Sequence, residues 1–90
     1  MDNRLKKITF RAAHRGMKEM DLLLGVFAER HLCSMSSEEL DLFETLLSLP
    51  DPDLYAWITG MEEVPDRYRS VIMQRLQAFN LQTPDYSQHT

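Results

Sequence analysis

Apolar side chains recur at intervals of three and four residues along most of the chain, which is the spacing of one face of an α-helix. The pattern predicts five helices, over residues 4–14, 17–32, 37–49, 53–59 and 65–80. The predicted core consists of the apolar side chains on these faces: Leu5, Ile8, Ala12, Met20, Leu23, Leu24, Phe27, Ala28, Leu40, Phe43, Leu46, Leu47, Leu54, Trp57, Ile58, Tyr68, Val71, Ile72, Met73, Leu76 and Phe79. No segment alternates apolar and polar residues for long enough to predict a β-strand. The predicted fold class is therefore all-α.

Two of the helix boundaries carry recognisable capping signals. Ser36 followed by Glu39 fits a capping box, in which each side chain accepts a hydrogen bond from the other residue's backbone amide. Pro50 stops the third helix, and Asp51 is the predicted N-cap of the fourth, with Pro52 at its first position. These signals give the middle of the chain its clearest predicted boundaries.

Glycine and proline mark the remaining boundaries. Gly16 and Gly60 each interrupt a helical pattern, as turn or terminus residues do. The pair Pro65-Asp66 is predicted to open the last helix. Residues 81–90 are polar and are predicted to form a frayed tail.

The length and composition fit one small domain. The chain has 90 residues, of which 43% are hydrophobic and 27% charged. We expect residues 1–90 to form a single compact bundle of five short helices. A chain this short buries only about 60–65% of its unfolded surface, which leaves a thin core. Such a core favours a binding or helper role over a self-contained enzyme.

Charge is distributed unevenly along the chain. The net charge is −4, but residues 1–19 carry +4, residues 20–66 carry −10 and residues 67–90 carry +2. One interpretation is that this split orients the protein on a partner by electrostatic complementarity. The other is that the basic ends attract the acidic middle within the same fold.

The sequence predicts neither a catalytic site nor a cofactor site. Three scattered glycines exclude a phosphate-binding loop, and the single Cys33 excludes an internal disulfide. His31 and Cys33, with His14 elsewhere, are a poor metal-ligand set, and nothing marks a third group that would orient a nucleophile. We therefore expect no catalytic residue, no metal and no stably bound cofactor.

Targeting and membrane signals are also weak. No apolar run approaches the 18 or more residues of a transmembrane helix, so we expect no membrane insertion. The basic start lacks the apolar core of a signal peptide. A cytoplasmic protein is the simplest expectation.

The least ordinary feature of the sequence is the segment of residues 15–21, RGMKEMD. Gly16 has no Cβ and lets another backbone approach closely. Glu19 and Asp21 lie near a helix start, where the helix dipole favours carboxylates, and Arg15 offers a planar guanidinium to a carboxylate or a carbonyl. These residues and Met17 are the predicted partner-binding site.

This segment resembles the signature of the succinate dehydrogenase assembly factor family, also called flavinylation factors. Its Arg-Gly-x-x-Glu motif is matched by Arg15, Gly16 and Glu19. A second family landmark, Asp-Pro-Asp-Leu-aromatic-x-Trp, is matched by residues 51–57. The resemblance covers residues 4–80 in order, without an insertion.

The resemblance implies a small five-helix protein that binds the flavoprotein subunit of succinate dehydrogenase. It would promote covalent attachment of FAD to a histidine of that subunit, and fumarate reductase flavoproteins are possible second clients. FAD would be attached to the client rather than held here. We expect a monomer when the factor is free, in the cytoplasm, or in the mitochondrial matrix if the source is eukaryotic.

Two other functions remain open at the level of sequence. Some bacterial members of this family are described as antitoxins, which implies a regulatory partnership with a membrane-associated toxin. A small nucleic-acid-binding regulator that uses the basic first helix is less favoured, because the chain is acidic overall and lacks interleaved basic and aromatic residues. We expect no nucleic-acid partner.

Overall fold

The computed structural model describes residues 3–82 of the chain. The five α-helices are α1 (Asn3–Ala13), α2 (Lys18–His31), α3 (Ser37–Leu47), α4 (Asp51–Ile58) and α5 (Val71–Gln82). There are also two single turns of 3₁₀ helix: Leu32–Ser34 follows α2, and Asp66–Tyr68 precedes α5. Within the described residues there is no strand, which confirms the predicted all-α class.

Helices α1 and α2 form a tightly packed antiparallel pair. Gly25 lies in the middle of α2, and a Cβ built on it would stand 3.1 Å from the Cβ of Ala13 and 3.3 Å from its Cα. These distances are shorter than ordinary van der Waals contact, so a larger residue at this position would require Ala13 to move by a few tenths of an ångström. No local sequence pattern predicts this role for Gly25.

The core lies where the five helices meet, around a cluster of phenylalanine rings. The Phe27 ring lies 5.6 Å from Phe43 and 5.5 Å from Phe79, measured between centroids, in tilted and edge-on arrangements that aromatic pairs favour. Met20 and Met73 are fully buried, which confirms them as core fillers. The prediction is wrong for Val71, which is 49% exposed on the first turn of α5.

The capping box is confirmed, whereas the predicted N-cap of α4 is shifted. The Ser36 hydroxyl accepts from the Glu39 amide at 3.1 Å, and the Glu39 carboxylate accepts from the Ser36 amide at 2.9 Å. Pro50, not Asp51, is the N-cap of α4, and Asp51 is its first residue. The physical reason is that Asp51 directs its carboxylate to Arg15 instead of to an amide of its own helix.

The start of the last helix was predicted wrongly. Pro65 and Asp66 begin only the 3₁₀ turn, and α5 starts at Val71. The Ser70 hydroxyl accepts a hydrogen bond from the Met73 amide at 3.1 Å, which is the contact of an N-terminal cap. Helix α5 also continues past Asn80 through Gln82. The rest of the predicted frayed tail, residues 83–90, lies outside the described part of the chain.

Basic residues of α1 and α5 pair with acidic residues of the middle segment. Arg4 contacts Asp41 at 2.5 Å and Glu44 at 2.6 Å, and Arg11 lies 3.8 Å from Glu44. Arg75 lies 3.5 Å from Glu39 in the same way. Much of the charge asymmetry therefore serves intramolecular attraction, although exposed and partly exposed ion pairs of this kind contribute little to stability.

Candidate partner-binding site

The predicted site is the loop between α1 and α2 together with the first turn of α2. Gly16 has φ +99°, a left-handed conformation that side chains other than glycine rarely adopt. A Cβ at this position would meet nothing within 4 Å. Glycine is therefore required here by the backbone, and the space in front of it is open to a partner.

Asp21 fixes the shape of this loop from α2. Its carboxylate accepts hydrogen bonds from the backbone amides of Arg15 and of Gly16, the latter at 3.1 Å. The Asp21 amide in turn donates to the Met17 carbonyl at 2.8 Å. Asp21 is half-buried and closes the loop onto the start of its own helix.

Arg15 ties the loop to the other half of the molecule. Its Nε donates to Asp51 Oδ1 at 2.7 Å, and its terminal nitrogens donate to the carbonyls of Leu47 and of Leu49, the latter at 2.6 Å. Leu47 is the last residue of α3, where helical carbonyls have no partner within the helix. The Arg15 side chain is only 11% exposed and that of Asp51 only 14%.

The five predicted site residues therefore divide into two groups. Gly16 and Glu19 are exposed, whereas Arg15, Met17 and Asp21 are half-buried. Met17 packs against the hydrophobic core. The structure brings all five together, but in the free chain the Arg15 guanidinium is directed inward, to Asp51 and the two carbonyls. Their role in partner binding stays a prediction.

The second landmark, residues 51–57, is in direct contact with the first through Asp51. Its Trp57 is 8% exposed and stacks on Tyr68 with centroids 5.3 Å apart, so its predicted burial in the core is confirmed. Sequence reasoning missed the pairing of Arg15 with Asp51. The signal that could have indicated this pairing is the presence of both landmarks in one short chain.

His31 is held among aromatic and basic groups rather than among metal ligands. Its ring lies 4.7 Å from Phe27 and 5.8 Å from Phe79, and its Nδ1 accepts from Arg75 at 3.4 Å. Burial, followed by the positive charges of Arg75 and Arg30, lowers the pKa of His31 below its ordinary value of 6.5. Among residues 3–82, no group of three or more histidine, cysteine or acidic side chains is arranged to hold a metal ion.

Two further properties describe the surface. An open groove of about 460 Å³ lies between the segment after α4 and α5, and none of its lining residues belongs to residues 15–21. No helix within the described range is both long and apolar enough to cross a lipid bilayer. The predicted site thus lies outside this groove.

Comparison with known proteins matches residues 6–80 to a family described as the flavinator of succinate dehydrogenase. Succinate dehydrogenase assembly factor 2 of Candida glabrata is 39% identical over 84 residues, and the alignment covers 89% of this chain and 55% of that protein. The FAD assembly factor SdhE of Acetobacter pasteurianus is 37% identical over 73 residues, with 81% of this chain and 67% of that protein covered.

The chain spans about half to two thirds of the length of such relatives, since it also covers 51% of the assembly factor of Dictyostelium discoideum, at 36% identity. The match to the family extends over most of the described residues and includes both landmarks. The chain therefore belongs to the succinate dehydrogenase flavinator family.

Proposed function

We propose that this protein is an assembly factor that binds the flavoprotein subunit of succinate dehydrogenase and promotes covalent attachment of FAD to a histidine of that subunit. Fumarate reductase flavoproteins are proposed second clients. The proposal is supported by the family match over residues 6–80 and by the similarity to relatives that are named as assembly factors.

The observation that carries the proposal is the construction of the loop. Arg15 and Asp21 hold the backbone of residues 15–17 from two sides, and Gly16 and Glu19 are presented to solvent. A preorganised surface of this kind loses little conformational entropy on binding. In this proposal Gly16 admits a close approach of the client backbone, and Glu19 supplies a charge-assisted contact.

The chemistry of attachment belongs to the client and its flavin. The factor binds a client conformation in which flavin and histidine are correctly placed, and it holds no FAD of its own. It acts as a monomer that meets its client in the bacterial cytoplasm or the mitochondrial matrix. The mitochondrial and bacterial relatives are consistent with either compartment.

The test is flavin incorporation into a co-expressed flavoprotein subunit, read as flavin fluorescence of the denatured subunit in a gel. Glu19→Ala and Gly16→Arg should each abolish most of the incorporation. Glu38→Ala is the matched control, because Glu38 is also an exposed acidic residue at the second position of a helix. Full incorporation by a folded Gly16→Arg variant would show that the site is wrong.

A pull-down with the wild-type factor separates this function from the alternatives. Capture of the flavoprotein subunit supports the proposal. Capture of a membrane protein or of nucleic acid, without any flavoprotein, would favour the antitoxin or the regulator instead.

A further inference from the structure

Phe10 is a large apolar side chain that the fold leaves in solvent. It lies on α1 and is 62% exposed. Its ring stacks on that of His14, with centroids 3.9 Å apart and planes inclined by 16°. His14 Nδ1 donates to the Phe10 carbonyl at 2.7 Å, since a carbonyl can only accept. The exposed ring is therefore supported on one face by His14, whose own ring is anchored to the helix backbone.

Two lysines lie beside this ring. Lys6 and Lys7 precede Phe10 by four and three residues, which places them next to it on the helix surface. Both are exposed, and neither forms an ion pair with another residue in the range 3–82. Arg4 and Arg11 on the same helix differ, because both contact Glu44 of α3. The positive charge at Lys6 and Lys7 is thus not neutralised by an intramolecular ion pair with a described residue.

This face borders the loop that the proposed function uses. His14 lies two residues before Gly16, and the contact between Ala13 and Gly25 fixes α1 against α2. A partner seated on Gly16 and Glu19 therefore meets a neighbouring surface whose position is already set.

We propose that Lys6, Lys7, Phe10 and His14 form a second contact with the same flavoprotein subunit; this inference rests on the proposed function. Phe10 enters an apolar recess of the subunit, and carboxylates at the rim of that recess face the two lysines. Large side chains that become fully desolvated in a pocket dominate many binding interfaces, and complementary charge around them speeds association and adds specificity. A protein surface fits better than a lipid surface. Among its described residues, α1 exposes only one large apolar side chain to insert into a bilayer, and the helix lies beside the acidic Asp41 and Glu44.

The experiment measures the affinity of the purified subunit for the factor at low and at high salt. Phe10→Ala should weaken binding about tenfold or more, whereas Phe10→Trp should bind within about threefold of wild type. The double variant Lys6→Gln/Lys7→Gln should bind more weakly at low salt and lose most of the salt dependence. Met61→Ala is the control, since Met61 is 73% exposed and lies after α4.

The outcomes separate this inference from the proposed function. Failure of the wild-type factor to bind the subunit overturns both. Normal binding by Phe10→Ala, together with loss of binding by Glu19→Ala, overturns only the second contact. An equal loss of binding by Met61→Ala also overturns the second contact. So does the result that the wild-type factor binds vesicles containing phosphatidylserine, if Phe10→Ala abolishes vesicle binding and leaves client binding unchanged. Thermal melts of each variant confirm that the exposed substitutions leave the fold intact.

Discussion

The Arg15 guanidinium and the Asp51 carboxylate lie 2.7 Å apart, although 36 residues separate them in the sequence. Arg15 comes from the Arg-Gly-x-x-Glu motif and Asp51 opens the Asp-Pro-Asp-Leu stretch. The two landmarks of the family are therefore one structural unit, in which the second holds the first in place.

Arg15→Ala should destabilise the fold. The substitution leaves Asp51 without its cation and removes the donors to the Leu47 and Leu49 carbonyls, so we expect a loss of about 3–5 kcal/mol in the free energy of unfolding. Urea denaturation measures it. Arg11→Ala is the control, with an expected loss under about 1 kcal/mol, because Arg11 is 46% exposed. A variant of Arg15 that unfolds like wild type yet fails to bind the client would show that Arg15 acts at the interface itself.

Gly16→Ala and Gly60→Ala should have similar costs in stability and different effects on function. Both glycines have positive φ, +99° and +82°, and a Cβ at either position meets nothing within 4 Å. Each variant should therefore lose about 1–2 kcal/mol through backbone strain alone. Flavin incorporation should fall only for Gly16→Ala. Equal falls for both would attribute the effect to stability rather than to the binding surface.

Trp57→Ala should be among the most destabilising single substitutions in the chain. Trp57 is 8% exposed and stacks on Tyr68, so its removal leaves a cavity that costs about 3–5 kcal/mol. Thermal unfolding checks this loss. A variant that melts like wild type but does not bind the client would place Trp57 at the interface.

His31 should make the fold less stable in mild acid. Because burial and the nearby Arg75 and Arg30 lower its folded pKa, the unfolded chain takes up a proton more readily than the folded one. The contribution of neutral His31 to the free energy of unfolding is fully present above the unfolded pKa of about 6.5. It declines as the pH falls from there toward the folded pKa. His31→Gln should flatten this decline in melts between pH 7.5 and 5. An unchanged slope would contradict the account.

Periodicity and capping chemistry were enough to predict most of the fold. The structure confirms two local signals: the helical spacing of the buried Leu23 and Phe27, and the capping box of Ser36 and Glu39. The start of α5 was misplaced because Tyr68 continues the apolar spacing of that helix, although it lies in a separate 3₁₀ turn.

The candidate site was predictable in composition but not in construction. The sequence marks Arg15 as a hydrogen-bond donor, yet two of its acceptors are backbone carbonyls. Because every residue has a backbone carbonyl, the sequence does not indicate which ones Arg15 contacts. Close packing of Gly25 against Ala13 depends in the same way on which helices become neighbours. Relationships of this kind arise from tertiary structure and have no pattern in the surrounding residues.

The acceptors of the Arg15 side chain lie 32 to 36 residues further along the chain, beyond the end of α2. The contact of α1 with α2 at Ala13 and Gly25 spans only 12 residues, and contacts that are close in sequence generally form faster than distant ones. Arg15 reaches its acceptors only after the end of α3 and the start of α4 have arrived. A chain that lacks α4 therefore has no Asp51 carboxylate for the Arg15 side chain, whereas the Asp21 contacts to the Arg15 and Gly16 amides are local. The orientation of the Arg15 side chain is in this way linked to the docking of α4.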